Sequence, residues 1–343
     1  MNKKRLIIFG IGLATAFALV SYFRSDAPRL IHITGQTMGT IVYNVKFVGQ
    51  EIEGLDKEIS DNLVAFNQSL STYIPSSEIS TLNRTGSFKF QSDFFLPVLE
   101  KSREIYKNTN GTFDPSIGPL VQAWGFGPNK SLPEVDSSMV DSLMSIVGFD
   151  KVQFDNEIVS MPPNFQIDFS AIAKGYAVDV VSEVLESRGI ANYLVEIGGE
   201  VRCRGVNNED KAWSLGIEDP TVSQGERALM AIVRLKDRSL ATSGNYRNYY
   251  EKDGKLFAHI IDPRTGYTAK HNLLSASVFA SDCMTADAYA TAFMVIGFEY
   301  SMELIFAFDL DAILIYQSED GEIESFVTAG IRPFLEMNNA GGN

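Results

Sequence analysis

Asp287 and Thr291 stand four residues apart in TADAYATA, among alanines and one tyrosine. Four residues is just over one helical turn, so a helix here carries a carboxylate and a hydroxyl on one face. Both are hard oxygen donors. A site with few protein ligands of this kind suits Mg²⁺, which keeps several waters and takes its remaining oxygens from phosphates. The pair fits a local role equally well: an aspartate that caps or pairs, and a threonine that bonds back to a helix carbonyl.

Four other segments offer chemistry. In IDFSAIAKGYAVD, Asp168 closes a strand-like run, and Lys174 and Gly175 fall in the first turn of the helix that follows. A helix N-terminus with a lysine and a glycine suits a phosphate; the alternative is a lysine that points into solvent. YLVEIGGEVRCRG sets Gly198 and Gly199 between two strand-like runs, as a tight turn or as a close approach of backbone to ligand. LATSGNYRNYY places Thr242, Ser243 and Gly244 in a polar turn after a strand. AHIIDPRTGY combines His259 with a turn opened by Asp262 and Pro263 and closed by Gly266. No P-loop and no GxGxxG fingerprint occurs, so neither standard nucleotide fold is indicated.

The elements that must position these residues can be read from periodicity. LIHITGQTMGTIVYNVKFVG alternates as a strand pair around a turn at Gly35. EIEGLDKEISDNLVAFNQSLSTY and DFFLPVLEKSREIYKNTNG read as amphipathic helices, the second ending at Gly111. FQIDF reads as a short strand entering a helix that starts near Ser170 and stops at Gly189. ANYLVEIGGEVRCRG, AWSLGIED, ALMAIVRLKDRSLATSG and KLFAHIIDPRTG read as strands separated by turns, Asp287 to Phe298 as a helix, and DLDAILIYQ and IESFVTAGI as two closing strands. The mixture without strict alternation predicts an α+β fold with largely antiparallel sheets packed against helices.

With 343 residues, 45% of them hydrophobic and 11% aromatic, the chain can build a large core. A net charge of -14 argues against a nucleic-acid partner. Two cysteines, Cys203 and Cys283, make no disulfide framework, and three histidines with no CxxC make no zinc-type site. The N-terminus opens with Lys3, Lys4 and Arg5 and continues into an uncharged apolar run from Leu6 to Phe23. Residues 1–25 therefore read as a cleaved signal peptide or as an uncleaved membrane anchor, the run being long enough for both. Basic residues before the run place the remainder outside the cytoplasm, on the periplasmic face of an inner membrane.

Taken together and in order, eight segments resemble the FAD:protein FMN transferases, the ApbE-like family. They are QTMGTIVYNV, LSTYIPSSEIS, GTFDPSIGPLVQAWGFGP, IDFSAIAKGYAVD, VEIGGEVRCRG, LATSGNYRNYY, HIIDPRTG and TADAYATA, spanning roughly Gln36 to Ala292. The resemblance implies an α+β fold in residues 29–343 that binds FAD with Mg²⁺ at its pyrophosphate. By position it implies Asp287, Thr291 and the backbone carbonyl of Ala171 as metal ligands. It places Met38, Tyr73, Ala123, Trp124, Gly125, Asp168 and Lys174 at FAD contacts. Some relatives carry a further carboxylate where this chain has Ala290, which bears on a second metal. No lipobox cysteine follows the apolar run, the first cysteine being Cys203.

The implied reaction transfers FMN from FAD to a Ser or Thr hydroxyl of an acceptor protein and releases AMP. The family's acceptors are exported or membrane subunits of redox-driven ion pumps and flavin-bearing reductases. A general base must take the acceptor's proton, and His259 is the side chain best suited to it. Asp262 either orients His259 or holds the turn. Tyr73 and Trp124 offer aromatic surface for a flavin or adenine ring. Two rival readings remain at this stage: an FAD pyrophosphatase yielding FMN and AMP, and an exported flavin-binding protein without turnover.

Overall fold

In a computed structural model the described residues are 29–125, 135–222, 228–244, 249–252, 255–258 and 260–337, with side chains described outside 249–258. The expected N-terminal hydrophobic helix and His259 lie outside them. Among the described residues no helix is long and apolar enough to cross a membrane.

Eight strands form the main sheet, numbered here along it: β1 (Arg29–Thr37), β2 (Ile41–Gly49), β3 (Tyr193–Ile197), β4 (Glu200–Arg204), β5 (Arg238–Gly244), β6 (Leu273–Ala280), β7 (Asp311–Gln317) and β8 (Ile323–Val327). Their order in the sheet is their order in the chain, and every neighbouring pair is antiparallel. The helices are α1 (Leu55–Leu70), α2 (Glu78–Thr85), α3 (Phe95–Asn108), α4 (Gly118–Ala123), α5 (Ser137–Met144), α6 (Ala173–Ser187), α7 (Cys283–Ile296) and α8 (Phe298–Ala307). A second antiparallel sheet pairs Trp213–Glu218 with Leu229–Leu235 and the latter with Leu335–Met337.

Strand alternation assigns the two faces of the main sheet. Tyr193, Val195, Ile197, Ala276, Val278, Ala312 and Leu314 face the helices, in a core shared with Phe66, Leu99, Val181 and Phe293. Their neighbours Leu194, Phe279, Ile313 and Ile315 face the second sheet, with Trp213, Ile217 and Val233. Each large side chain so buried contributes about 1.5–3 kcal/mol.

The sequence expectations differ from the structure at several places. The first hairpin turns at Met38 to Thr40, not at Gly35. Gly35 lies within β1 opposite Tyr43, where a Cβ would stand 2.4 Å from the Tyr43 hydroxyl oxygen, so glycine here makes room for a ring. The run FQIDF is not a strand, and its helix starts at Ala173 rather than Ser170. The predicted helix over 287–298 starts four residues earlier, because the Asp282 side chain caps it by accepting from the Thr285 N–H. It stops before Gly297, whose φ is 81°. Leu273–Ala280, which the periodicity did not assign, is a central strand packed on both faces.

Candidate active site

Helix α7 is buried almost all round, with Ala286, Ala288, Ala290 and Ala292 letting its neighbours approach closely. The closest approach is at Gly175 of α6: a Cβ there would stand 2.3 Å from the Cys283 carbonyl oxygen. Without one, the Gly175 N–H donates to Asp287 Oδ2 at 2.9 Å. Gly175 is the third residue of α6, so its N–H has no carbonyl partner within the helix, and Asp287 supplies one.

Four ion pairs fix α6 on β4, from Lys174, Asp179 and Glu186 to Glu200, Arg202 and Arg204. Residues 200, 202 and 204 share the helix-facing side of β4, while Val201 and Cys203 face the second sheet. Glu200 Oε1 accepts from Lys174 Nζ at 2.5 Å, and Asp179 Oδ1 accepts from Arg202 Nη1 at 2.8 Å. Asp179 also accepts the Cys283 and Met284 N–H groups at 2.9 and 2.8 Å, capping α7 from the neighbouring helix. Burial pushes the Asp179 carboxyl up to about 6, against the opposing pull of those two N–H groups and Arg202.

A cavity of about 400 Å³ opens where these elements meet. One wall carries Ala171, Lys174, Asp287 and Thr291; Ser243 of β5 faces Thr291 with 3.4 Å between hydroxyl oxygens. Thr242 and Ser243 thus lie in the end of a strand rather than in a turn. Gly198 also lines the cavity; it and Gly199, with φ of 64° and 108°, make the two-residue turn between β3 and β4, so the Gly-Gly pair serves as turn and wall together. Lys174 Nζ lies 3.6 Å from Asp287 Oδ1. Burial opposes the lysine's charge, but Asp287 and Glu200 outweigh it and raise Lys174 above the usual lysine value. Glu200 is pushed up, chiefly by burial and further by Asp287, with Lys174 pulling the other way.

Asp168 lines this cavity and also a second one of about 340 Å³, and Val121 of α4 is the other residue shared between them. Thr72 and Gln122 line the second cavity, so Tyr73, 74% exposed, and Ala123 adjoin its wall in sequence. Trp124 is buried, 7% exposed, and Gly125 ends α4 with φ of 79°. The Trp124 indole N–H donates to the Gly266 carbonyl at 2.8 Å, with its ring against Leu120, Val140 and Ile261. It braces the Asp262–Gly266 turn rather than offering a free face. That turn is held by Asp262, whose carbonyl accepts the Gly266 N–H at 2.8 Å and whose carboxylate binds the Arg264 guanidinium. Met38, in the first hairpin with φ of 48°, packs on the core and does not line either cavity. The structure thus gathers Asp168, Ala171, Lys174, Asp287 and Thr291, and leaves Met38, Tyr73, Ala123, Trp124 and Gly125 outside the first cavity's wall.

Glu200 was not singled out from the sequence. Its signal was there: EVRCR sets charges on one face of a strand whose other face is apolar. The donor set Asp287, Thr291 and Ala171 carbonyl is all hard oxygen and fits a hard cation that completes its shell elsewhere. Among the described residues no cluster of three or more His, Cys, Asp or Glu side chains competes as a metal site.

The mixed α+β fold and its oxygen-lined cleft around a lysine define the class. The ApbE family model matches residues 38–314, and the chain belongs to that family. It is 38% identical over 314 residues to a FAD:protein FMN transferase of Vibrio cholerae, covering 89% of this chain and 92% of that one. With the FAD:protein FMN transferase of Haemophilus influenzae it shares 36% identity over 97% of this chain and 98% of the other. The solved structure of flavin transferase ApbE from Vibrio cholerae superposes with a TM-score of 0.80 at 35% identity, over 90% of this chain and 99% of that one.

Proposed function

We propose that this chain transfers FMN from FAD to a Ser or Thr hydroxyl of an exported or membrane acceptor protein, releasing AMP in a Mg²⁺-dependent reaction. The observation that carries this reading is the convergence of Ala171, Lys174, Asp287 and Thr291 on one cavity, joined to a second through Asp168 and Val121. Two adjoining cavities suit the two halves of a dinucleotide, with the pyrophosphate near the lysine. Membership of a family whose named relatives are FAD:protein FMN transferases supports it.

Asp287, Thr291 and the Ala171 carbonyl would hold Mg²⁺, which supplies charge neutralisation at the pyrophosphate. Lys174 presents a fixed positive charge to the phosphate oxygens as negative charge gathers on them. The acceptor oxygen bonds to the phosphorus of the FMN half, and the bond from that phosphorus to the bridging oxygen breaks. AMP leaves with the bridging oxygen, and the acceptor's hydroxyl proton passes to His259. The Asp262–Gly266 turn, braced by Trp124, begins three residues after that histidine in the sequence. Residues 29–343 form the catalytic unit, and residues 1–25 export it and anchor it on the periplasmic face.

Quantifying AMP, free FMN and acceptor-bound flavin after incubation with FAD and Mg²⁺ tests this. AMP matched by acceptor-bound flavin, and abolished by chelator, is the expected result. AMP matched by free FMN whatever the acceptor would make the chain a pyrophosphatase, and no AMP would leave a flavin binder.

A further inference from the structure

Glu200 opens β4 directly after the Gly198–Gly199 turn, and its side chain is 3% exposed. Oε1 holds the Lys174 ammonium at 2.5 Å, while Oε2 is buried with no hydrogen-bond partner. An unpaired buried polar atom is destabilising, and more so when it is charged. A fold that retains one beside its cleft has a use for the carboxylate. On the other side of the same ammonium is Asp287, with Oδ1 at 3.6 Å and Oδ2 taken by the Gly175 N–H. The lysine therefore has two carboxylates in reach and is hydrogen-bonded to one. Gly198 packs over the pair: a Cβ there would lie 3.6 Å from Glu200 Oε2 and 3.7 Å from Lys174 Cδ.

We propose that Glu200 is a positioning residue that holds the Lys174 ammonium away from Asp287, so that Asp287 Oδ1 stays open to a divalent cation. The inference rests on the functional reading above. An ammonium has three donors and no acceptor, and in a partly desolvated site it moves to the carboxylate that remains. Without the Glu200 carboxylate, the carboxylate that remains within 4 Å of Lys174 Nζ among the described residues is Asp287. A close Lys174–Asp287 pair would then occupy the oxygen the cation needs. The same Glu200 contact keeps the lysine's remaining donors available to a phosphate.

The test is Mn²⁺ binding to the full chain in the presence of FAD, with free Mn²⁺ read by electron paramagnetic resonance and thermal unfolding run alongside. Glu200→Gln should raise the Mn²⁺ dissociation constant about tenfold or more while Lys174 is present. In a Lys174→Met background the same change should alter it less than about threefold, because no ammonium is left to displace. Equal effects in both backgrounds would mean that Glu200 contributes only its charge, and would overturn the inference. If Glu200→Gln does not fold, Glu200→Asp carries the test: it keeps the charge but withdraws it by one methylene. It should weaken Mn²⁺ binding, and wild-type binding in it would overturn the inference. A wild-type chain that binds FAD but no Mn²⁺ would instead overturn the functional reading on which the inference stands.

Discussion

Asp287 both ties two helices together and lines the cavity. Only 2% exposed, it gives Oδ2 to the Gly175 N–H and leaves Oδ1 toward the Lys174 side of the cavity. Asp287→Ala removes both the oxygen donor and the bond that ties α6 to α7. Loss of an outer-sphere partner of a metal typically lowers activity about 10–100-fold, so loss of a ligand should lower it at least about 100-fold. Turnover of FAD against Mg²⁺ concentration checks this; wild-type turnover would remove Asp287 from the site. At this scale the sequence was readable where spacing alone decides. Asp287 and Thr291 share a helix face because they are four residues apart. It was unreadable where a partner comes from elsewhere in the chain: nothing near Lys174 announces Glu200, which is 26 residues away.

At the scale of elements, the cleft depends on how closely α6 and α7 approach. Gly175→Ala would set a Cβ 2.3 Å from the Cys283 carbonyl oxygen and 2.8 Å from Asp287 Cβ. The helices must part, at about 1–3 kcal/mol for such overpacking. Thermal unfolding should register that loss, and activity should fall further than stability because the Gly175–Asp287 bond is broken. The other end of α7 is fastened by His271, whose Nδ1 accepts the Leu273 N–H at 3.2 Å while Nε2 donates to the Met294 carbonyl at 2.6 Å. That pattern needs the neutral ring, and burial lowers the His271 pKa below the usual histidine value, against the smaller opposing effect of the Met294 carbonyl. The unfolded chain therefore takes up the proton first, and the contribution to stability is complete above about pH 6.5 and lost as pH falls from there. Unfolding free energies at pH 7.5 and 5.5 should differ more for the wild type than for His271→Gln. Most of these elements were legible from periodicity, but not β6. Buried on both faces, LLSASVFA lacks the alternation that marks a half-exposed strand. FQIDF fails in the opposite sense: it has the pattern of a strand, yet the Asp168 N–H bonds Pro115 rather than a sheet neighbour.

For the whole molecule, the order of the main sheet explains how distant segments reach one cleft. Strands that are neighbours in the sheet are also consecutive among its members; short turns join β1 to β2, β3 to β4 and β7 to β8, while the chain makes long excursions between the others. The excursion between β2 and β3 carries Asp168 and Lys174; the one between β5 and β6 carries the Asp262–Gly266 turn; α7 follows β6. The sequence displayed the motifs in order but not the sheet that gathers them, because antiparallel pairing across such excursions leaves no local trace. We propose that this gathering serves transfer to a protein hydroxyl. The most direct measurement is the intact mass of an acceptor protein, incubated with the full chain, FAD and Mg²⁺. Transfer should add the mass of one FMN less one water, absent with chelator and absent when the acceptor's target Ser or Thr is replaced by alanine. An acceptor of unchanged mass, while AMP and free FMN accumulate, would contradict it.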